Sequence, residues 1–168
     1  YKDSGAEWLG DVPRHWDVEP LKFNTYAKGR VGWQNLRSDE LTSEGPYLVT
    51  GMHFKDGGVD WESCHHVSRE RYEIAPEIQL KPGDILVTKD GSIGKLAYVD
   101  AMPGEACLNS HLLVLRPLKR KYLSRFLYYS LQSDGFKVHV DLNQSGTIFY
   151  GLTQEALVRY PIVPVSYT

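Results

Sequence analysis

Two lysines, a serine and two glycines crowd one turn of this chain, within the run Gly83-Asp84-Ile85-Leu86-Val87-Thr88-Lys89-Asp90-Gly91-Ser92-Ile93-Gly94-Lys95-Leu96-Ala97-Tyr98-Val99. Ammonium and hydroxyl groups grip phosphate, and glycine lets a backbone approach a ligand closely. A nucleotide-binding P-loop is excluded by spacing. That loop needs four residues between its glycines, Ser or Thr after its Lys, and a following helix whose amides face the phosphates. Here Leu96 follows Lys95 and the next residues read as strand. Ile85 to Thr88 and Leu96 to Val99 are short, apolar and β-rich, so the segment reads as a hairpin whose polar turn projects from buried strands.

Other reactive side chains are sparse. Cys64-His65-His66, with Cys107 or His111, offers metal-ligand types, yet lacks the paired CxxC or HxxxH spacing of zinc sequences. Two ordinary histidines at a strand end explain it more simply. A Cys107 and His111 nucleophilic pair has no evident orienting acid or oxyanion site. An amino methyltransferase would carry an acidic residue or Asn before Pro-Pro and an aromatic, plus a glycine-rich cofactor loop. Neither is present, and the chain is expected not to be an enzyme and to hold no cofactor or metal of its own.

The elements that must position the turn follow from periodicity. Trp8, Trp16 and Val18 sit among Pro and Gly, an extended arm packed down by its tryptophans and ending near Leu21. Lys28-Gly29-Arg30-Val31-Gly32-Trp33-Gln34 is glycine-broken and basic, hence a loop, and Pro46 to Thr50 and Gly58 to Trp61 read as strands around a Gly51 to Gly57 loop. Leu112 to Leu115 is a buried strand preceded by the polar Asn109-Ser110-His111. Leu123, Phe126, Leu127 and Leu131 fall at helical spacing over about 121–131, and Asp134-Gly135 is expected to end that helix. Thr153 reads as the N-cap of a short helix reaching Val158, before a Pro161 to Val165 strand. Strands lead and helices cluster late, an α+β arrangement of short twisted strands and hairpin loops with a C-terminal helical part.

At 168 residues, 42% hydrophobic and 12% aromatic, the chain can bury one good core, and a single domain over residues 1–168 is expected. Two cysteines are too few for a disulfide framework, which fits a reducing, cytoplasmic location. No apolar run has membrane-span length and no signal-peptide pattern occurs. A start at Tyr1 without Met reads as processing or trimming. The net charge of −2 hides an uneven distribution. His111 to His139 holds Arg116, Lys119, Arg120, Lys121, Arg125 and Lys137 against Asp134 alone, whereas Asp56 to Glu77 holds six acids against Arg69 and Arg71. The first region suits phosphate, although such a run equally suits a solvated surface.

Three segments together resemble one family. Tyr1-Lys2-Asp3-Ser4-Gly5-Ala6-Glu7-Trp8-Leu9-Gly10-Asp11-Val12-Pro13-Arg14-His15-Trp16 is similar to the DSG-EWLG-IP-HW opening of target-recognition domains from the DNA-specificity (S) subunits of type I restriction-modification enzymes. Gly83 to Lys95 resembles their GDIL-(S/T)-(R/K)-DG-(S/T)-IGK segment, and Gly151-Leu152-Thr153 with Tyr160-Pro161-Ile162-Val163-Pro164 resembles the close of such a domain. Family members usually continue past the final Pro-rich strand into a long helix, and this sequence stops at Thr168.

The resemblance implies a fragment of a larger subunit with a second such domain and spacer helices. Each domain would read one half of a split double-stranded DNA target. The subunit would be non-catalytic and would dock methyltransferase (M) subunits, which bind S-adenosylmethionine, and a restriction (R) subunit. The helix near Tyr122 to Leu131, with Tyr128 or Tyr129, is a candidate methyltransferase surface.

In that setting Lys28, Arg30, Trp33 and Gln34 form one candidate contact segment, with Arg30 suited to guanine and Gln34 to adenine edges. Lys89, Ser92, Gly94 and Lys95 form the second, the lysines as phosphate clamps. Asn143, Gln144, Ser145 and Thr147 form the third, and Asn109 and His111 are further candidates. His53 and Lys55 are weaker ones. The alternatives are a protein-interaction module that meets an acidic partner, and a small metal-dependent hydrolase.

Overall fold

The computed structural model describes residues 1–31, 35–118, 122–143 and 152–163. In chain order the strands are β1 (Lys2–Asp3), β2 (Asp11–Val12), β3 (Glu19–Pro20), β4 (Thr25–Gly29), β5 (Leu41–Val49), β6 (Phe54–Lys55), β7 (Gly58–Val59), β8 (His65–Val67), β9 (Ile85–Thr88), β10 (Leu96–Tyr98), β11 (Ala106–Leu108), β12 (Leu112–Pro117) and β13 (Pro161–Ile162). The helices are α1 (Arg69–Glu73), α2 (Ser124–Ser130), α3 (Asp134–Asn143) and α4 (Gln154–Val158). No helix among the described residues is long and apolar enough to cross a membrane.

The expected β9–β10 hairpin forms, with Val87 opposite Leu96. It belongs to a four-stranded antiparallel sheet ordered β10-β9-β12-β4. Because side chains alternate across a strand, β9 and β12 each feed two cores. Ile85, Val87, Leu113 and Leu115 point into a cluster with Leu127, Phe136, Leu157 and Tyr160 of the helical part. Leu86, Leu112 and Val114 point into a second cluster with Leu48, Val49, Cys107 and Leu108. Both faces are covered, which explains why these strands read as unbroken apolar runs rather than as alternating ones. The second cluster is closed by a three-stranded sheet, β11-β5-β8, in which β11 runs parallel to β5. The β9–β10 hairpin lies within the long crossover that such a parallel pairing requires. The fold is α+β, as expected.

Of the two tryptophans expected to pack the N-terminal arm down, Trp8 does so, whereas Trp16 is exposed. Trp8 stacks almost parallel on Tyr160, 5.5 Å between ring centres, and β3 pairs antiparallel with β13.

Several local expectations are corrected. Lys28 lies in strand β4 opposite Val114, not in a loop. The alternation of buried Thr25 and Ala27 with less buried Tyr26 and Lys28 is a strand signal that the following glycines mask. β5 begins at Leu41, earlier than Pro46, and Trp61 lies in a 3-10 turn beyond β7. Asp134-Gly135 does not merely end a helix, because it opens α3. The Ser133 hydroxyl accepts from the Phe136 amide (3.3 Å), an N-cap interaction at the start of that helix. Thr153 caps α4 as expected, accepting from the Ala156 amide at 3.1 Å.

The basic stretch is also less open than its charges suggest. Arg116 is forked onto Asp84 (2.7 and 2.8 Å), Arg125 pairs with Asp100, and Lys137 pairs with Asp134. Lys119, Arg120 and Lys121 lie outside the described residues.

Candidate nucleic-acid interface

Thr88, the last residue of β9, organises the hairpin tip. Its buried hydroxyl donates to the Ser92 carbonyl and accepts from the Lys95 amide (2.9 Å). Its own amide donates to the Lys95 carbonyl (3.0 Å), and its carbonyl accepts from the Gly94 amide (2.9 Å). The chain turns through left-handed conformations at Gly91 (φ 67°) and Gly94 (φ 82°), which favour glycine. The tip projects only in part. Gly91, Ser92 and Lys95 are exposed, whereas Ile93 packs against the helical core and Gly94 lies beside Val140 of α3.

Neighbouring segments brace the base of the turn. The Lys89 amide donates to the His111 carbonyl (3.1 Å), and the Lys89 carbonyl accepts from the Leu152 amide, just before α4 (2.6 Å). His111 Nδ1 lies 2.6 Å from Asp90 Oδ1. The His111 amide donates to Asn109 Oδ1 (3.0 Å).

Two depressions meet at Asp90. One, of about 370 Å³, is lined by Thr50, Met52, Ser92, Lys95, Asn109 and His111 among others. The second, of about 390 Å³, is lined by Arg30, Lys89, Thr153 and Gln154 among others. The fold thus gathers Lys89, Ser92, Lys95, Asn109 and His111 into one region, although they come from two separate stretches of sequence. It adds Thr50, Met52, Asp90 and Gln154, which the sequence did not single out. Asp90 had a usable signal in its position inside the turn; the others had none, because only folding brings them there.

Besides Lys28, two candidates are placed differently from expectation. Arg30 is turned inward and is only 5% exposed. Its Nε donates to the Leu108 carbonyl (3.0 Å), and a terminal nitrogen reaches Cys107 Sγ at 3.5 Å. Burial lowers the Arg30 pKa, with a smaller opposing effect from Cys107. As placed, the guanidinium is turned toward the core rather than toward an open groove. Asn143 ends α3, where its Nδ2 donates to the His139 carbonyl (2.8 Å). It therefore belongs to a helix terminus rather than to a free loop. Lys28 is exposed on β4. Trp33, Gln34, Gln144, Ser145 and Thr147 lie outside the described residues.

The chemistry of this region is that of contact. Ammonium groups and hydroxyls donate, the Asn109 amide can donate and accept, and Asp90 accepts. The cysteines offer little nucleophilicity. Burial, aided by Asp60, pushes the Cys64 thiol up to about 12, and burial raises Cys107 despite the opposing effect of Arg30. Among the described residues no three or more His, Cys, Asp or Glu side chains converge in a way that would hold a metal ion.

Comparison with known proteins identifies the family. Residues 31–164 match the model of the type I restriction modification DNA specificity domain, and the chain belongs to that family. A putative type I restriction enzyme MjaX specificity subunit from Methanocaldococcus jannaschii is 28% identical over 130 residues, covering 74% of this chain and 29% of that protein. Among solved structures, the HsdS subunit from Thermoanaerobacter tengcongensis matches 90% of this chain and 37% of its own, with TM-score 0.60 and 20% identity. A chain from work on the structural basis of complex assembly and conformational transition of the type I R-M system matches 93% of this chain and 36% of its own, with TM-score 0.69 and 20% identity. These structural likenesses concern the fold. The chain spans about a third of the length of each of these relatives.

Proposed function

We propose that this chain, residues 1–168 forming one recognition domain, reads one half of a bipartite double-stranded DNA target for a type I restriction-modification specificity subunit. It carries out no catalysis. It passes its choice of sequence to methyltransferase subunits, which bring S-adenosylmethionine, and to a restriction subunit, all in the cytoplasm. The observation that carries this reading is the braced hairpin tip, where Lys89, Ser92, Lys95, Asn109 and His111 converge beside two depressions. Specific duplex recognition needs cations and hydroxyls on phosphates together with polar groups on base edges, held on a rigid support.

Lys89 and Lys95 act as phosphate clamps in this reading, and Asn109, Ser92 and His111 lie where base edges pass. Lys28, exposed near the end of strand β4, adds a contact to the DNA backbone. Trp33, Gln34, Gln144, Ser145 and Thr147 remain proposed contacts on the strength of their residue types.

The test is selection from a randomised duplex library, using the chain alone and within its specificity subunit bound to methyltransferase. Enrichment of a motif of a few base pairs supports the reading. If the assembled complex enriches no motif, DNA recognition is overturned in favour of a protein-interaction role.

A further inference from the structure

Met52 is 82% exposed, the most exposed large apolar side chain among the described residues. Its backbone is nevertheless fixed. It sits in the 3-10 turn Gly51–His53. The His53 amide donates to the Thr50 carbonyl (3.0 Å), and the Thr50 amide donates to His53 Nδ1 (3.0 Å). His53 itself is buried and packs edge-on against His65. Gly51 lies so close to β9 that a Cβ there would stand 3.0 Å from Cγ2 of Thr88, the residue that organises the hairpin tip. The turn thus packs closely on the residue that organises the tip, and Met52 lines the same depression as Lys95, Ser92, Asn109 and His111.

An apolar side chain carried on a fixed turn among hydrogen-bonding groups favours a ligand edge that is itself part apolar. In the major groove of duplex DNA only thymine offers an apolar group, its 5-methyl, beside polar atoms. Methionine is flexible and polarisable enough to cover it. Resting on the DNA-recognition reading above, we infer that Met52 is a specificity-determining residue that packs on the methyl group of one thymine in the target half-site. Lysine contacts to phosphate position the duplex, and Met52 makes one position prefer T·A.

The experiment takes the motif selected by the assembled subunit and replaces its thymines one at a time with deoxyuridine, which removes only the methyl group. The wild-type complex should lose about fourfold in affinity at one position, the value of one buried methyl-sized group. Met52→Ala should show no loss at that position while keeping any sensitivity at others, and Met52→Leu should retain it. Equal losses for wild type and Met52→Ala at every thymine, or a motif without thymine, overturn the inference while leaving DNA recognition intact. Absence of any motif overturns the recognition reading instead.

Discussion

The indole of Trp8 lies over Gly135 so closely that a Cβ added there would stand 2.3 Å from a ring carbon. Gly135 is buried in the first turn of α3, and the other face of the arrangement is closed by the parallel stack of Trp8 on Tyr160. In most helix interiors Gly→Ala stabilises by about 1 kcal/mol. Here the sign should reverse. Gly135→Ala forces the indole out of its place and should destabilise by about 1 to 3 kcal/mol, as overpacking does. Urea unfolding followed by tryptophan fluorescence measures it, and a stabilised variant would show that the arm yields freely.

Asp84 stands at the foot of the hairpin, and its role is structural. Its buried carboxylate accepts two bonds from Arg116 of β12 and one from the Lys81 amide (2.7 Å). Removing one partner of such a pair strands the other charge. Asp84→Ala should cost about 3 to 5 kcal/mol in denaturant unfolding. It should leave the selected DNA motif unchanged in whatever fraction remains folded.

Arg30 should behave as a core residue. Arg30→Ala removes the donor to the Leu108 carbonyl, and a buried acceptor left alone costs about 1 to 3 kcal/mol. The expected outcome is a lowered unfolding midpoint with the same preferred sequence. A changed preference at one base pair would instead show that Arg30 swings out to read a base.

The hairpin lysines should act without regard to sequence. Lys89→Ala and Lys95→Ala should each weaken binding to all duplexes alike. Each leaves one phosphate without its cation, so each should flatten the dependence of log affinity on log salt by about one unit. Titrations at several salt concentrations on cognate and random duplexes test this, and a weakening confined to the cognate duplex would make the residue a base reader.

Acid should loosen the Met52 turn. Burial lowers the His53 pKa below its ordinary 6.5, reinforced by His65 and partly offset by Asp60. Burial likewise lowers His139, opposed by the bond from its Nε2 to the Ala156 carbonyl (2.7 Å), with Arg159 adding to the lowering. A histidine held below its unfolded value contributes stability that is fully present above about pH 6.5. It is lost as pH falls through the depressed folded value. Protonated His53 can no longer accept from the Thr50 amide. Unfolding free energy should therefore fall as pH drops below about 6.5, and His53→Gln should flatten part of that fall.

The hairpin strands, the Thr153 cap and the aromatic arm were legible because each is written in neighbouring residues. Apolar runs bounded by Gly and Asp define strands, and a Thr three residues before an amide defines a cap. Asp134-Gly135 misled because glycine in a helix is read locally as a break, whereas this one exists to admit a ring from Trp8. Arg30 misled for a similar reason, since a basic residue beside glycines reads as surface until the Leu108 carbonyl is found next to it.

By itself, then, the sequence determined the strand-rich α+β character, the polar turn at Lys89 to Lys95 and the family kinship. Side-chain period, turn chemistry and motif all act over a few residues. Tertiary structure alone decided that Asp84 would hold Arg116, that Arg30 would face inward, and that Thr50 and Met52 would join the hairpin tip. Those outcomes depend on which distant segments share a core, because a side chain turns inward or outward according to what packs above it, and no local pattern records that.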